Sequence, residues 1–157
     1  MRFFPFREKP LKEKGNMLYY LSLGSNLGER EQTIRRALQQ IEQQIGTILR
    51  CSSFFYSAPW GFDSPNEFCN LCCAVESTLA PLDVLTLTQT IERALGRKTK
   101  SQMSNYTDRC IDIDIIRAFN DNGQEICLDT PTLTLPHKLW QQREFVTIPL
   151  SEIMRVD

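Results

Sequence analysis

Three observations predict an α+β fold for this 157-residue chain. Apolar residues recur at helical spacing in two stretches. They alternate or cluster at strand spacing in four others, and the two kinds interleave as β-α-β-β-α-β. The length suits one domain, and 41% hydrophobic with 24% charged residues is ordinary for a globular chain.

Residues 1–16 differ from the rest, with five basic and two acidic residues, two prolines and a Phe3-Phe4-Pro5-Phe6 cluster. That cluster is too short for a signal-peptide core, and no small-residue cleavage site follows. Residues 1–16 are expected to form a flexible N-terminal extension, with Met17 as an alternative start. Residues 17–157 are expected to form the single domain.

Leu18 to Leu23 reads as a first strand, ending at a loop of Gly24-Ser25-Asn26-Leu27-Gly28. Ile34, Ala37, Leu38, Ile41 and Ile45 share one face of a helix that begins at Arg30, and Gly46 ends it. Ile48 to Tyr56 reads as a second strand and Ser57 to Glu67 as a long loop of Pro, Gly and Trp. Phe68 to Ser77 is the third strand, with Asn70, Cys72, Ala74 and Glu76 on one face and Leu71, Cys73 and Val75 on the other. Pro81 suits the first turn of a second helix that runs to Leu95 and stops at Gly96.

Lys98 to Asp108 is polar and without apolar anchors, the character of a lid that orders over ligands. A strand through Asp112 follows, then a hairpin turning at Asn122-Gly123. Thr130 to Arg143 is expected as a loop and Phe145 to Ile148 as a last short strand. The order matches the ferredoxin-like split βαβ arrangement with an added hairpin, an antiparallel sheet with helices packed on it. That architecture hosts many activities, so function has to be argued from a site.

A net charge of −1 supplies no global field for nucleic acid or an anionic membrane, and no apolar run approaches a membrane span. A cytoplasmic protein is expected, with neither partner, as a monomer or alternatively a dimer. Six cysteines without a secretory signal do not suggest a disulfide scaffold. Cys69 and Cys72 form a CxxC, but strand alternation puts them on opposite faces and one histidine leaves no second ligand pair. Buried structural thiols are expected.

The chemistry concentrates at Arg109-Cys110-Ile111-Asp112-Ile113-Asp114-Ile115-Ile116. Two residues apart in a strand, Asp112 and Asp114 point to one face about 6.6 Å apart, with Ile111, Ile113 and Ile115 toward the core. Like charges so placed are costly unless cations neutralise them, and hard oxygen ligands suit Mg²⁺ shared with substrate phosphates. Arg93, Arg97, Lys98, Lys100 and Arg109 form a local basic cluster beside the pair, suited to phosphate oxygens. Gln89 and Glu92 share a face of the second helix. Neither GxxxxGK[ST] nor GxGxxG is present, so any nucleotide would be held by metal and side chains.

These motifs together resemble the 6-hydroxymethyl-7,8-dihydropterin pyrophosphokinase family. The matching segments include Leu23-Gly24-Ser25-Asn26-Leu27-Gly28, Ser52 through Gly61, Phe68-Cys69-Asn70 and Gly96-Arg97. They continue with Asp108 through Ile115, Leu135-Pro136-His137, Arg143-Glu144-Phe145 and Pro149-Leu150. The resemblance implies Mg²⁺-dependent transfer of pyrophosphate from ATP to the hydroxymethyl group of the pterin, releasing AMP, in folate biosynthesis.

It implies that Asp112 and Asp114 bind two Mg²⁺ ions and that Arg97 and Arg109 hold the transferring phosphates. Gln89, Glu92, Lys100, Tyr106, Ile115, Thr134, His137 and Arg143 would line the ATP site. Ser57, Pro59, Trp60, Phe68, Asn70 and Phe145 would bind the pterin, with Asn70 reading its amide edge and Phe145 stacking on one face. The chain departs from the family pattern at Tyr106-Thr107-Asp108, where Trp-Gly-Pro is usual. It departs again at Phe68 and Lys138, where Tyr is common, and in lacking a loop arginine beyond Arg97, where Lys98 or Lys100 stands instead. A nucleotidyltransferase reading fails because its Gly-Ser and Asp-x-Asp elements lie about a dozen residues apart, far closer than Ser25 and Asp112 here. A non-catalytic module of the same fold predicts loss of the carboxylates or arginines, all of which are present.

Overall fold

A computed structural model describes residues 15–59, 65–96 and 110–154. Strand β1 (Met17–Ser25), helix α1 (Arg30–Gln44), strands β2 (Thr47–Cys51), β3 (Phe55–Ser57) and β4 (Phe68–Ser77), and helix α2 (Pro81–Ala94) come first. Strands β5 (Asp112–Phe119), β6 (Leu128–Asp129) and β7 (Thr134–Leu135) follow, and helix α3 (Glu144–Ile153) closes the order. The main sheet runs β2-β4-β1-β5, antiparallel throughout, with β3 continuing beside β4. That order is the ferredoxin-like one expected from the sequence.

Strand alternation divides the core in two. Leu21, Leu23, Leu71, Cys73, Val75, Ile111, Ile113 and Ile115 pack under α1 and α2, against Ile34, Leu38, Ile41, Val84 and Ile91. On the other face Tyr20, Cys72, Ala74 and Ile116 meet Val146, Leu150 and Ile153 of α3. Cys69 and Cys72 accordingly lie in different clusters, and all six cysteines are free thiols. α1 ends where its backbone meets β4: a Cβ on Gly46 would lie 2.0 Å from the Glu76 carbonyl oxygen. Gly96, at φ +106°, stops α2.

Four expectations are corrected. Phe145 to Ile148 is helical, not a strand: Val146, Leu150 and Ile153 form one apolar face of α3. A four-residue apolar run cannot separate the two periodicities, and Pro149 inside α3 reads locally as a breaker. Gly24 and Ser25 are not loop residues but the end of β1, paired with Asn70 and Cys69. The expected strand Ile48–Tyr56 is two strands: the Ser52 N–H still donates to the Cys72 carbonyl at 2.9 Å, but the Cys72 N–H donates to Ser52 Oγ at 3.0 Å, a side-chain acceptor at which regular pairing ends. The expected Thr130–Arg143 loop holds β7, which pairs with β6, and a 3₁₀ turn at Trp140–Gln142.

The hairpin turns where expected, with Gly123 at φ +79° and a bridge between Phe119 and Glu125. Residues 15 and 16 are tied to the domain: the Gly15 N–H donates to Asp121 and the Asn16 Nδ2 to Glu76. Residues 1–14 of the expected extension lie outside the described residues. Among those described, no helix is long and apolar enough to cross a membrane.

Candidate active site

Antiparallel register builds the site across three strands. Asp112 of β5 stands opposite Gly24 of β1, which stands opposite Asn70 of β4. One pleat further, Asp114 faces Ser22, which faces Cys72. Asp112 and Asp114 are half-buried while Ile111, Ile113 and Ile115 are buried beneath the opposite face. The two carboxylates thus share the α3 face of the sheet, beyond the part that α3 covers. With strands about 4.8 Å apart, the carboxylate column and Asn70 stand roughly 10 Å from each other, with the side-chain-free Gly24 between them.

The Asn70 amide is oriented. Its Nδ2 donates to the Phe55 carbonyl at 3.0 Å and to Ser57 Oγ at 2.8 Å. Oδ1 is left over Gly24, 3.1 Å from where a Cβ there would sit, and the Phe68 ring lies 3.6 Å from the same point. The sequence reading left Gly24 out of the site. A glycine within a strand marks close approach by a ligand or another backbone, and that was the available signal.

The β1–β5 register shifts between Tyr20 and Leu21, so that Ile116 is bulged out of the pairing. The Ile116 carbonyl accepts the His137 N–H at 2.8 Å, which brings the Pro136–Lys138 segment alongside β5. His137 Nδ1 accepts the Leu139 N–H at 3.2 Å, leaving its neutral-form proton on Nε2 as a donor. Thr134 belongs to β7 and lines a pocket of about 400 Å³ with Cys127, Leu128, Asp129, Leu135, Pro136 and Lys138. Arg143, buried just before α3, places its guanidinium 5.7 Å from the Phe145 ring centre. Glu92 is buried at the outer edge of β5, and Gln89 lies one turn earlier on α2.

Ser57, Phe68 and Asn70 therefore gather on one side of Gly24, with Asp112 and Asp114 on the other. Pro59 is the last described residue before Trp60. Trp60, Arg97, Lys98, Lys100, Tyr106 and Arg109, with the expected lid 98–108, lie outside the described residues. Among the described residues no three His, Cys, Asp or Glu cluster as a metal site, so the donor set here is the carboxylate pair. Two carboxylates with oxygens added by a phosphate substrate match the way Mg²⁺ is usually held.

The family model for 7,8-dihydro-6-hydroxymethylpterin-pyrophosphokinase matches residues 20–155. The 2-amino-4-hydroxy-6-hydroxymethyldihydropteridine pyrophosphokinase of Porphyromonas gingivalis is 44% identical over 136 residues, 87% of this chain and 90% of that protein. The Bacillus subtilis protein of the same name is 33% identical over 139 residues, 88% and 78% of the two chains. A crystal structure described as HPPK-DHPS in complex with substrates superposes with a TM-score of 0.67 at 14% identity, over 89% of this chain and 40% of that one. This last likeness is one of fold. Taken with the register that sets two carboxylates across a glycine from an oriented asparagine, the matched span shows that the chain belongs to the 7,8-dihydro-6-hydroxymethylpterin-pyrophosphokinase family.

Proposed function

We propose that the row Asp112–Gly24–Asn70 is the axis along which this enzyme aligns its two substrates. The chain is an ATP-dependent pyrophosphokinase that transfers pyrophosphate from ATP to the hydroxymethyl group of 6-hydroxymethyl-7,8-dihydropterin in folate biosynthesis. The observation that carries the assignment is the cross-strand register, which gives a bare glycine between a carboxylate pair and a fixed amide.

With Nδ2 engaged by Phe55 and Ser57, Asn70 offers only the acceptor Oδ1 to a ligand. It therefore reads a ring edge that carries N–H donors, as the pterin's amide edge does. Gly24 lets a flat ring lie close to the sheet, with Phe68 and Phe145 as its stacking walls and Ser57 and Pro59 around it; Trp60 joins them on the strength of the sequence resemblance alone. Asp112 and Asp114 hold Mg²⁺, two ions being expected. When bound, Mg²⁺ neutralises the triphosphate and polarises its phosphoryl oxygens.

Gln89, Thr134, His137 and Arg143 surround the nucleotide, His137 donating from Nε2. Arg97, Arg109, Lys100 and Tyr106 join them on the strength of the sequence resemblance. Glu92 and Ile115, expected there from the resemblance, have their side chains buried on the α2 face of the sheet and so do not reach the nucleotide directly. In-line attack at the β-phosphorus asks for positioning and charge neutralisation rather than a covalent protein intermediate. Residue placement is accordingly the main contribution of this chain.

The test is to incubate the protein with Mg²⁺, ATP and 6-hydroxymethyl-7,8-dihydropterin and identify the nucleotide released, with Asp112→Ala and Asp114→Ala alongside. Pterin-dependent AMP, lost in both variants, is the expected result. ADP in its place would mean transfer of a single phosphoryl group. A folded protein that binds ATP but releases no AMP would sink the catalytic reading.

A further inference from the structure

Glu92 lies on the face of α2 that packs against the sheet and is 2% exposed. Its Oε2 accepts the Ile113 N–H at 2.7 Å. Ile113 is the residue between the two candidate metal ligands, and β5 is the last strand of the sheet on that side. A buried carboxylate is costly, and an apolar residue would usually pack a helix against a sheet more simply. The position of this carboxylate therefore calls for a reason beyond packing.

The peptide that carries the Ile113 N–H is planar and begins at Asp112. Holding that N–H fixes the peptide plane, and with it the direction of the Asp112 side chain relative to Asp114. The same device appears at the opposite edge of the sheet, where Glu42 Oε2 accepts the Ile48 N–H at 2.6 Å. No carboxylate pair stands there, so Glu42 serves as an internal control for edge pairing alone.

We propose that Glu92 is a positioning residue for the metal-binding pair. From the α2 side of the sheet it clamps the Asp112–Ile113 peptide and so sets the spacing of the two carboxylates on the other side. The inference rests on the reading of Asp112 and Asp114 as metal ligands and deepens it. Glu92→Asp keeps the charge but draws the carboxylate back by one methylene. Glu92→Gln keeps the reach and the acceptor but removes the charge.

The experiment measures Mn²⁺ bound to the protein with a non-hydrolysable ATP analogue by electron paramagnetic resonance, together with hydrogen exchange at the Ile113 amide. Outer partners of metal ligands are worth about ten- to a hundredfold in affinity. Glu92→Asp is therefore expected to weaken Mn²⁺ binding by about tenfold or more and to speed Ile113 exchange. Glu92→Gln is expected to stay within about threefold of the unmodified protein, since its acceptor still meets the amide. Glu42→Asp is expected to leave Mn²⁺ affinity unchanged.

Undiminished Mn²⁺ affinity or unchanged Ile113 exchange in Glu92→Asp would overturn the proposal. Equal loss in Glu92→Gln would overturn it in favour of the charge, and equal loss in Glu42→Asp in favour of general destabilisation. An unmodified protein that binds the analogue but no Mn²⁺ would overturn the underlying metal reading, whatever the variants do.

Discussion

At Gly24 the absence of a side chain leaves the sheet surface between Asn70 and Asp112 open. A Cβ there would crowd Asn70 Oδ1 at 3.1 Å and touch the Phe68 ring at an ordinary 3.6 Å, inside the space proposed for the pterin. Gly24→Ala is expected to raise the KM for the pterin about tenfold while moving the KM for ATP far less, since a small misplacement of a bound ring is costly. Steady-state kinetics with each substrate varied in turn checks this. The cysteines give a second prediction. Burial pushes the Cys69 and Cys72 thiols up to about 12, and Cys73 also well above the usual thiol range. Only the thiolate reacts, so these three stay protonated and inert across neutral pH. A maleimide reagent is expected to label the exposed Cys127 and spare all three until the protein unfolds, as read by peptide mass spectrometry.

Among the elements, the junction of α1 and β2 is the least forgiving. Gly46 is needed there for space rather than for backbone freedom, because the β4 backbone at Glu76 occupies the position of any Cβ. Gly46→Ala is expected to destabilise the protein by about 3 kcal/mol, the upper end of overpacking costs. Thermal unfolding would show it, and kcat of the folded fraction should be unchanged. α1 and α2 were legible in the sequence because Ile34, Leu38 and Ile41, and Val84 and Ile91, repeat at helical spacing and glycine follows each helix. α3 was not legible, since its apolar face emerges only over ten residues and Pro149 interrupts them. The end of β1 was missed for a related reason: Gly24-Ser25-Asn26 has the composition of a turn, and only pairing to Asn70 and Asp112 on either side makes Gly24 a strand residue.

Taken whole, the molecule joins its hairpin, β5 and the approach to α3 through Arg117. Its guanidinium makes two 2.8 Å bonds to Glu125 and lies 5.0 Å from the Phe119 ring centre and 5.3 Å from that of Trp140. The hydrogen bonds from Arg117 hold the Glu125 carboxyl below its ordinary 4.5, even against the opposing effect of burial. A carboxyl whose folded pKa is depressed contributes stability above its unfolded pKa and loses it as pH falls through the folded value. Stability is therefore expected to decline below about pH 4.5, with Glu125→Gln showing a shallower decline and lower stability at pH 7. Urea midpoints measured from pH 7 to pH 3 would test both. The side chains are a fifth to a quarter exposed, so the effect is modest.

Local pattern sufficed for the β-α-β-β-α-β order of the core, both long helices, the strand that carries Asp112 and Asp114, and the shared face of those carboxylates. Each depends on periodicity within one segment, which the chain displays without reference to its neighbours. The motifs also sufficed for the family, because so many spaced residues match together. Register is different. That Asp112, Gly24 and Asn70 form one row, that a bulge at Ile116 brings His137 alongside, and that Glu92 reaches the Ile113 amide from the opposite face were decided by the tertiary structure. The physical reason is that a one-residue slip between strands exchanges the two faces of a sheet. That choice is made by packing between elements distant in sequence, so no single segment records it.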